Sequence, residues 1–253
     1  NNIGTILGPV LVGSLVGINI LNIDIPGFGL LTPLIVMSVL MASAACVVYV
    51  YLPNKTGELP NEDAASGIVF DTNLKTLLAI GTILFTAFAI VQSVTAYYVQ
   101  DRFQYSLDET AKTTALLLGT MALMAIISQL TLVQRYKGSP LNLIKFSVPF
   151  FILSCIFIII SPNFLFLYFG MAFMGLGMGL ASPGYTSAAS LNASKDNQGA
   201  AVGIAMVAPG IGFALGPFLS GFLYTYSMNL PFIFILPLFI VLIFLIKKLE
   251  KIN

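Results

Sequence analysis

The sequence has no histidine and no tryptophan, and only 8% of its 253 residues are charged. Soluble domains contain about 25% charged residues, so an ordinary soluble domain is excluded. The missing histidine removes the commonest general base and the commonest metal ligand. What the chain has instead is apolar surface, since 58% of its residues are hydrophobic and its mean hydropathy is +0.97. These values indicate a membrane protein, and the lipid bilayer is its first expected partner.

Side chains that could carry out catalysis are equally scarce. The two cysteines, Cys46 and Cys155, lie in apolar runs, where cysteine behaves as a small buried hydrophobic residue. With no histidine, no buried acid pair and no cysteine cluster, the sequence predicts no catalytic residue, no metal site and no cofactor, and so no enzyme. A serine nucleophile within the membrane remains open, but no motif positions a base for it. The net charge of +1 gives no reason to expect nucleic acid as a partner.

Long apolar runs divide the chain into candidate membrane spans, each of which needs ~20 mainly apolar residues. Eight runs qualify, at about 2–21, 29–52, 76–99, 109–132, 143–161, 164–186, 199–224 and 230–247. The breaks between them contain turn residues, for example Asp24-Ile25-Pro26-Gly27 and Lys137-Gly138-Ser139-Pro140. The predicted fold class is therefore an all-α membrane protein, a helical bundle with eight transmembrane helices in this sequence.

The longest break is polar and rich in proline, and it predicts an inter-domain linker over residues 53–75. Lysine and arginine counts set the orientation of a membrane protein. If the spans alternate, nine of the 11 basic residues lie on the side of the linker and the C-terminus, and only Arg102 and Lys112 lie on the other side. We therefore expect a multi-pass protein of the plasma or inner membrane, with the linker and the C-terminus in the cytoplasm.

A glycine-proline pattern occurs twice. The stretch Gly199–Tyr224, which has 26 residues and no charge, contains Gly212-x-x-x-Gly216-Pro217-x-x-x-Gly221. The first span contains the same pattern as Gly4-x-x-x-Gly8-Pro9-x-x-x-Gly13. In a membrane, glycines four residues apart let a neighbouring helix backbone come close. Both copies are therefore candidate helix-interface motifs.

The positions of the two copies predict how the protein is divided. They lie in the first and seventh spans, so both cross the membrane in the same direction, as in two parallel halves related by an axis along the membrane normal. Residues 76–253 form a complete half of six spans, with the copy in its fifth span. Residues 1–52 then supply the last two spans of an equivalent half. We expect twelve spans in the intact protein and an N-terminally truncated sequence here.

Twelve spans in two parallel halves with a polar linker resemble the major facilitator superfamily. Gly4-Thr5-Ile6-Leu7-Gly8-Pro9-Val10-Leu11-Val12-Gly13 resembles the antiporter signature in that superfamily's fifth helix. Gly212, Gly216-Pro217 and Gly221 are similar to the eleventh helix of its twelve-span drug:proton antiporters, and Gly175-Leu176-Gly177-Met178-Gly179 is similar to the tenth. Tyr98-Val99-Gln100-Asp101-Arg102 resembles the end of the seventh helix, and Leu132 to Gly138 the basic loop between the eighth and ninth.

The resemblance implies a secondary-active transporter that works by alternating access. Within the superfamily it implies proton-coupled export of small apolar or cationic compounds, by a protein that is monomeric at full length. It also implies that Gly8-Pro9 and Gly216-Pro217 lie in flexible or closely packed helices at the domain interface and guard the occluded state. Tight helix packing with a gentle kink is the alternative for both pairs. An importer of sugars or metabolites with the same fold, and an inactive fragment, are the alternative functions.

Polar and soft side chains within the spans are candidates for a substrate cavity. Gln92, Thr95 and Gln129 could hydrogen-bond a small-molecule substrate, or they could join one helix to another. Met174 and Met178 continue a methionine stripe that suits varied apolar ligands or simply fills the interior. In a cytoplasmic loop, Arg135 and Lys137 could form a gate by pairing with acids of the other half, or they could serve only as topology determinants.

The protons that such an exporter would use need an ionisable group within the membrane. Every acid of this sequence lies in a break or at the end of a span: Asp24, Glu58, Glu62, Asp63, Asp71, Asp101, Asp108, Glu109, Asp196 and Glu250. If protons drive transport, we therefore expect the coupling carboxylate in the spans inferred to precede residue 1.

Overall fold

The computed structural model describes residues 28–51, 72–191 and 203–252, and nearly all of these residues are helical. The helices are α1 (Phe28–Tyr51), α2 (Thr72–Phe103), α3 (Leu107–Ser128), α4 (Pro140–Ile160), α5 (Phe164–Leu191), α6 (Val207–Tyr224) and α7 (Leu230–Ile252). A π-helical turn at Gln129–Val133 continues α3, and a short helical piece at 203–205 precedes α6. The described part of the chain contains no β-strand.

The helices α2 to α7 are each long and apolar enough to cross a membrane, with spans of 21 to 32 residues and mean hydropathies from 1.6 to 2.8. The predicted class, an all-α membrane protein, is confirmed. The first predicted span, 2–21, lies outside the described residues, and so do Gly4, Gly8, Pro9 and Gly13. Most of the predicted linker also lies outside them, and α2 begins at Thr72, within the range predicted to be linker.

Local sequence explains where two of the helices begin. The backbone N–H of Ser106 donates to Glu109 Oε2 at 3.0 Å, while the Ser106 hydroxyl accepts from the Glu109 N–H at 3.4 Å. This reciprocal pair satisfies two donors at the start of α3. Pro140 lies in the first turn of α4. Backbone N–H groups in that turn have no carbonyl partner within the helix, so proline, which lacks the N–H, costs no hydrogen bond there. Proline also lies inside four helices, as Pro149, Pro183, Pro217 and Pro237, which membrane helices tolerate.

The helices α2 to α7 build one core. α4 packs along α5, α2 along α6 and α3 along α5, while α7 lies against α2 and α4. The largest buried aromatic side chains come from four of these helices: Tyr98, Phe151, Tyr185, Phe232 and Phe239. The rings of Phe151 and Phe239 stack with their centroids 5.1 Å apart. Within the described residues, α1 takes no part in these helix pairs, and its side chains from 35 to 51 are almost all exposed.

The outside of the bundle is also apolar. Each of the helices α2 to α7 has large hydrophobic side chains that are more than half exposed, among them Tyr97, Leu116, Phe146, Leu165, Phe218 and Phe244. In water such a surface would be unfavourable, but lipid tails are as apolar as leucine. The surface therefore fits a protein whose surroundings are the hydrocarbon core of a bilayer.

Candidate functional site

Helix α6 meets α2 along a row of small residues. The buried residues of α6 are spaced by four: Ala208, Gly212, Gly216 and Ser220. A Cβ atom at Gly212 would lie 2.6 Å from Phe85 Cβ and 2.8 Å from Thr86 N. A Cβ atom at Gly216 would lie 3.0 Å from the carbonyl carbon of Ala89. Because these distances are shorter than van der Waals contact, only glycine fits, and the two helices touch backbone to backbone. We call this contact the α2–α6 seam.

The α2–α6 seam opens after Pro217. Among the described residues, no heavy atom lies within 4 Å of the position that a Cβ atom would take at Gly221. A cavity of about 540 Å³ lies between the two helices there, and Tyr97 and Gly221 are among its lining residues. Beside it the Tyr224 hydroxyl donates to Asp101 Oδ2 at 2.7 Å, which joins the helices again. The glycine motif of α6 thus combines a tight contact with an opening.

The partner of Gly216-Pro217 in the described residues is α2, which belongs to the same group of six helices. The expected role of this pair between the two halves stays a prediction. The other copy of the motif, which carries the same expectation, lies outside the described residues.

A second glycine contact joins α5 to α3. A Cβ atom at Gly179 would lie 2.5 Å from the carbonyl oxygen of Ala125. Gly175, one turn earlier, meets the preceding turn of α3 in the same way. The Ser128 hydroxyl donates to the Leu176 carbonyl at 3.2 Å, which adds a hydrogen bond between the helices. The glycines of α5 therefore bring α3 and α5 as close together as the α2–α6 seam brings α2 and α6.

Between these two contacts lies a cavity of about 430 Å³, with walls from α2, α3, α5 and α6. We call it the central cavity. It is lined by Phe85, Phe88, Gln92, Leu118, Met121, Ala122, Ala125, Gln129, Gly175, Met178, Ser182 and Phe213. None of these residues is charged. Phe213 meets Phe88 edge to face with the ring centroids 6.1 Å apart and tilts against Phe85 at 6.2 Å, so one side of the cavity is aromatic.

The central cavity brings together three of the five side chains that the sequence suggests for substrate contact, namely Gln92, Gln129 and Met178. The other two do not line it. Thr95 is 2% exposed, and its hydroxyl donates to a carbonyl one turn earlier in its own helix at 2.6 Å. Met174 is fully buried in the core, so it packs the interior behind the cavity wall.

An irregular turn follows Gln129, whose own backbone N–H still bonds to the Ala125 carbonyl as in a regular helix. Gln129 begins the π-helical segment, and the Gln134 N–H donates to the Gln129 carbonyl at 3.2 Å, five residues back. A π turn inserts an extra residue into a helix, and such turns are frequent at functional sites. Here the π turn begins at the last residue of α3 that lines the central cavity, so it changes the rotation of the helix beyond the cavity.

Tyr185 of α5 also shapes the site, and no sequence motif indicates it. Its ring packs edge to face against Phe85 with a centroid distance of 6.0 Å. Its hydroxyl donates to the Ala205 carbonyl at 2.8 Å. Tyr185 therefore fixes both the aromatic wall of the central cavity and the short helical piece that leads into α6. A buried tyrosine in an apolar span is the only signal that the sequence offers for it.

Hydrogen bonds anchor the C-terminal end of α2 to α4. The Tyr98 hydroxyl donates to the Ile158 carbonyl at 2.9 Å. The Arg102 guanidinium donates to the Ser161 carbonyl at 3.1 Å. A cation is favourable at the C-terminus of a helix, where carbonyl groups are left without partners. Helix α2, which forms one wall of the central cavity, is thus held at its C-terminal end by α4 as well as by α6.

The predicted gate residues, Arg135 and Lys137, lie exposed in the connection between α3 and α4. Among the described residues, the structure records an ion pair only between Lys145 Nζ and Glu250 Oε1, at 2.5 Å. That pair joins the start of α4 to the end of α7. A gate formed by Arg135 and Lys137 stays a prediction.

The fold and the cavity define the class of the protein. A bundle of long apolar helices, held together by glycine contacts around an uncharged cavity, is a polytopic α-helical membrane protein. The family model of the Major Facilitator Superfamily matches residues 1–208 and again residues 131–251. The chain belongs to the Major Facilitator Superfamily, and it is therefore an integral membrane protein of the secondary-transporter type. A comparison with curated proteins gave no match.

Proposed function

We propose that the protein exports small apolar or cationic compounds in exchange for protons. The observation that carries this proposal is the central cavity of about 430 Å³, whose lining, in the part of the chain that the structure describes, is mainly apolar and aromatic and includes no charged residue. Ligand pockets of proteins commonly have such volumes and such linings. The resemblance of Gly4 to Gly13 to the antiporter signature supports the direction of transport, and it supports protons as the coupling ion.

The organisation proposed for the transporter follows the repeated glycine motif. Two equivalent halves of six helices rock against each other in alternating access. Residues 76–253 form one half, residues 1–52 contribute two helices of the other, and the linker 53–75 joins them in the cytoplasm. The full-length protein is then a monomer in the plasma or inner membrane. Gly8-Pro9 and Gly216-Pro217 take corresponding positions near the interface between the halves.

An export assay tests this function. Cells that express the full-length gene product would be loaded with fluorescent apolar dyes, some uncharged and some cationic, and dye loss would be followed with and without a pH gradient. We expect efflux that stops when the gradient is collapsed. Gradient-driven uptake of labelled sugars with no dye efflux would instead favour the importer. No movement of any compound would contradict both export and import by this gene product.

A matched pair of variants locates the transport path in the central cavity. Phe213 and Phe222 both lie on α6 and are 45% and 57% exposed, but only Phe213 lines the central cavity. We expect Phe213→Ala to lower dye efflux by at least about tenfold, which corresponds to ~1.4 kcal/mol of binding. Phe222→Ala should leave efflux near the wild-type rate. Equal losses in both variants at equal expression would contradict this assignment.

A further inference from the structure

The charge of the residues that line the central cavity distinguishes cationic from uncharged substrates. The described residues that line it include no Asp, Glu, Lys or Arg. In the described helices, the charged residues lie within the first or last two turns, so they are far from the middle of the bundle. A charged ligand group that enters an apolar site loses its hydration, and without an opposite charge this loss is not compensated. The part of the wall that these helices form therefore disfavours both cations and anions.

The polar groups that the central cavity does offer are neutral. Gln92 and Gln129 each carry a carboxamide, which has two N–H donors and one carbonyl acceptor. Such a group can donate to a ligand and accept from it, and an uncharged ligand with both a donor and an acceptor matches it best. Phe85, Phe88 and Phe213 provide the apolar part of the site. Aromatic rings prefer edge-to-face or offset contacts with other rings.

We infer that the central cavity binds an uncharged aromatic compound that carries an amide-like polar group, held between the Phe85, Phe88 and Phe213 rings and the carboxamides of Gln92 and Gln129. This inference rests on the proposed function. It narrows the proposed substrate class from apolar or cationic compounds to uncharged ones. The opposing view is that the phenylalanine rings attract a cation through their π faces. The two views predict opposite orders of affinity.

Three probes of equal shape and different charge separate these views. They are 2-naphthamide, which is neutral, 2-naphthamidine, which is protonated and therefore a cation at neutral pH, and 2-naphthoate, which is an anion. Binding of each to the purified full-length protein in lipid nanodiscs would be measured by calorimetry. We expect the amide to bind at least about tenfold more tightly than either charged probe. Tighter binding of a charged probe, or no binding of any of the three, would overturn the inference.

A charge placed in the wall provides the second arm of the test. Gln92→Glu adds a carboxylate to the central cavity at nearly constant volume. We expect it to reverse the order, so that the cation gains at least about tenfold in affinity and the amide becomes weaker. The matched control is Gln100→Glu, the same change on α2 at a half-buried residue that does not line the central cavity. An unchanged order in Gln92→Glu, or an equal reversal in Gln100→Glu, would show that the probes bind elsewhere.

The binding assay and the export assay can fail separately. If the amide binds with the expected dependence on Gln92 while no compound is exported, the ligand class stands and the transport proposal is wrong. If cationic dyes are exported in a Phe213-dependent manner and the cationic probe binds more tightly than the amide, the transport proposal stands and the present inference is wrong.

Discussion

Replacement of Gly212 by alanine tests the α2–α6 seam, with Gly221→Ala as the matched control. At Gly212 the new methyl group would lie 2.6 Å from Phe85 Cβ and 2.8 Å from Thr86 N. Because part of this neighbour is backbone, the clash can be relieved only if one helix moves away from the other. At Gly221 no heavy atom lies within 4 Å of the same position. The two variants add the same methyl group to the same helix in opposite environments.

The size of the effect follows from the difference between the two variants. Both gain helix propensity when alanine replaces glycine, by ~1 kcal/mol, so this contribution cancels in the comparison. Overpacking of a tight interior costs ~1–3 kcal/mol, and it applies only to Gly212→Ala. With ~2 kcal/mol as the central value, the melting temperature of Gly212→Ala should lie about 4–8 °C below that of Gly221→Ala.

The chain offers a thiol to report its own unfolding. Cys155 is fully buried and Cys46 is exposed, so in a Cys46→Ser background a thiol-reactive fluorophore labels the chain only when the bundle opens. Labelling during heating would give the melting temperature of each variant in the same detergent. If Gly212→Ala and Gly221→Ala melt together, the two helices do not touch where the structure places their contact. If Gly221→Ala alone is destabilised, the opening beyond Pro217 is misplaced.

The same thermal assay checks two polar contacts. Lys145→Gln removes the ion pair between Lys145 and Glu250. The two side chains are 36% and 32% exposed, respectively. The variant should therefore lose less than ~1 kcal/mol of unfolding free energy, and the difference from wild type should disappear in high salt. A difference that persists in high salt would show that solvent ions do not screen this pair. Tyr224→Phe removes the 2.7 Å hydrogen bond to Asp101 and should cost ~1 kcal/mol, whereas Tyr226→Phe, at 70% exposure, should cost nothing measurable. Equal effects of the two tyrosine changes would show that the hydroxyl of Tyr224 does not stabilise the bundle.

The spans could be predicted from the sequence because length and hydrophobicity decide whether a segment crosses a bilayer. The predicted spans 143–161 and 230–247, for example, correspond to α4 at Pro140–Ile160 and α7 at Leu230–Ile252. Their ends could not be predicted as well, since helices continue past the apolar core. α2 extends to Phe103 because Asp101 and Arg102 find partners on α6 and α4. Such partners are set by tertiary structure and leave no periodic signal.

The faces of the helices could not be predicted for a related reason. Lipid and protein interior are both apolar, so hydrophobicity does not separate a buried side chain from one that faces the membrane. Phe213 and Phe222 look alike in the sequence, yet only the first lines the central cavity. Gly216 and Gly221 belong to one motif, yet one has a neighbour within van der Waals distance and the other has none. What decides these differences is the opposite helix, where Ala89 is small enough to admit Gly216.

The contacts of α6 also bear on how the bundle can move. Its buried face consists of small residues on one edge, while large side chains such as Phe218 face outward at 72% exposure. The small residues of the seam do not interlock with α2, so resistance to sliding must come from contacts beside them, such as the Phe213 ring against Phe85 and Phe88. The hydrogen bond between Tyr224 and Asp101 opposes such sliding at one end, and the Tyr185 hydroxyl holds the connection that enters α6 at the other. The two bonds tie α6 to different helices, since Asp101 lies on α2 and Tyr185 lies on α5. Sliding of α6 along α2 would therefore have to break the bond at each end, and we expect α6 to keep its position against both α2 and α5.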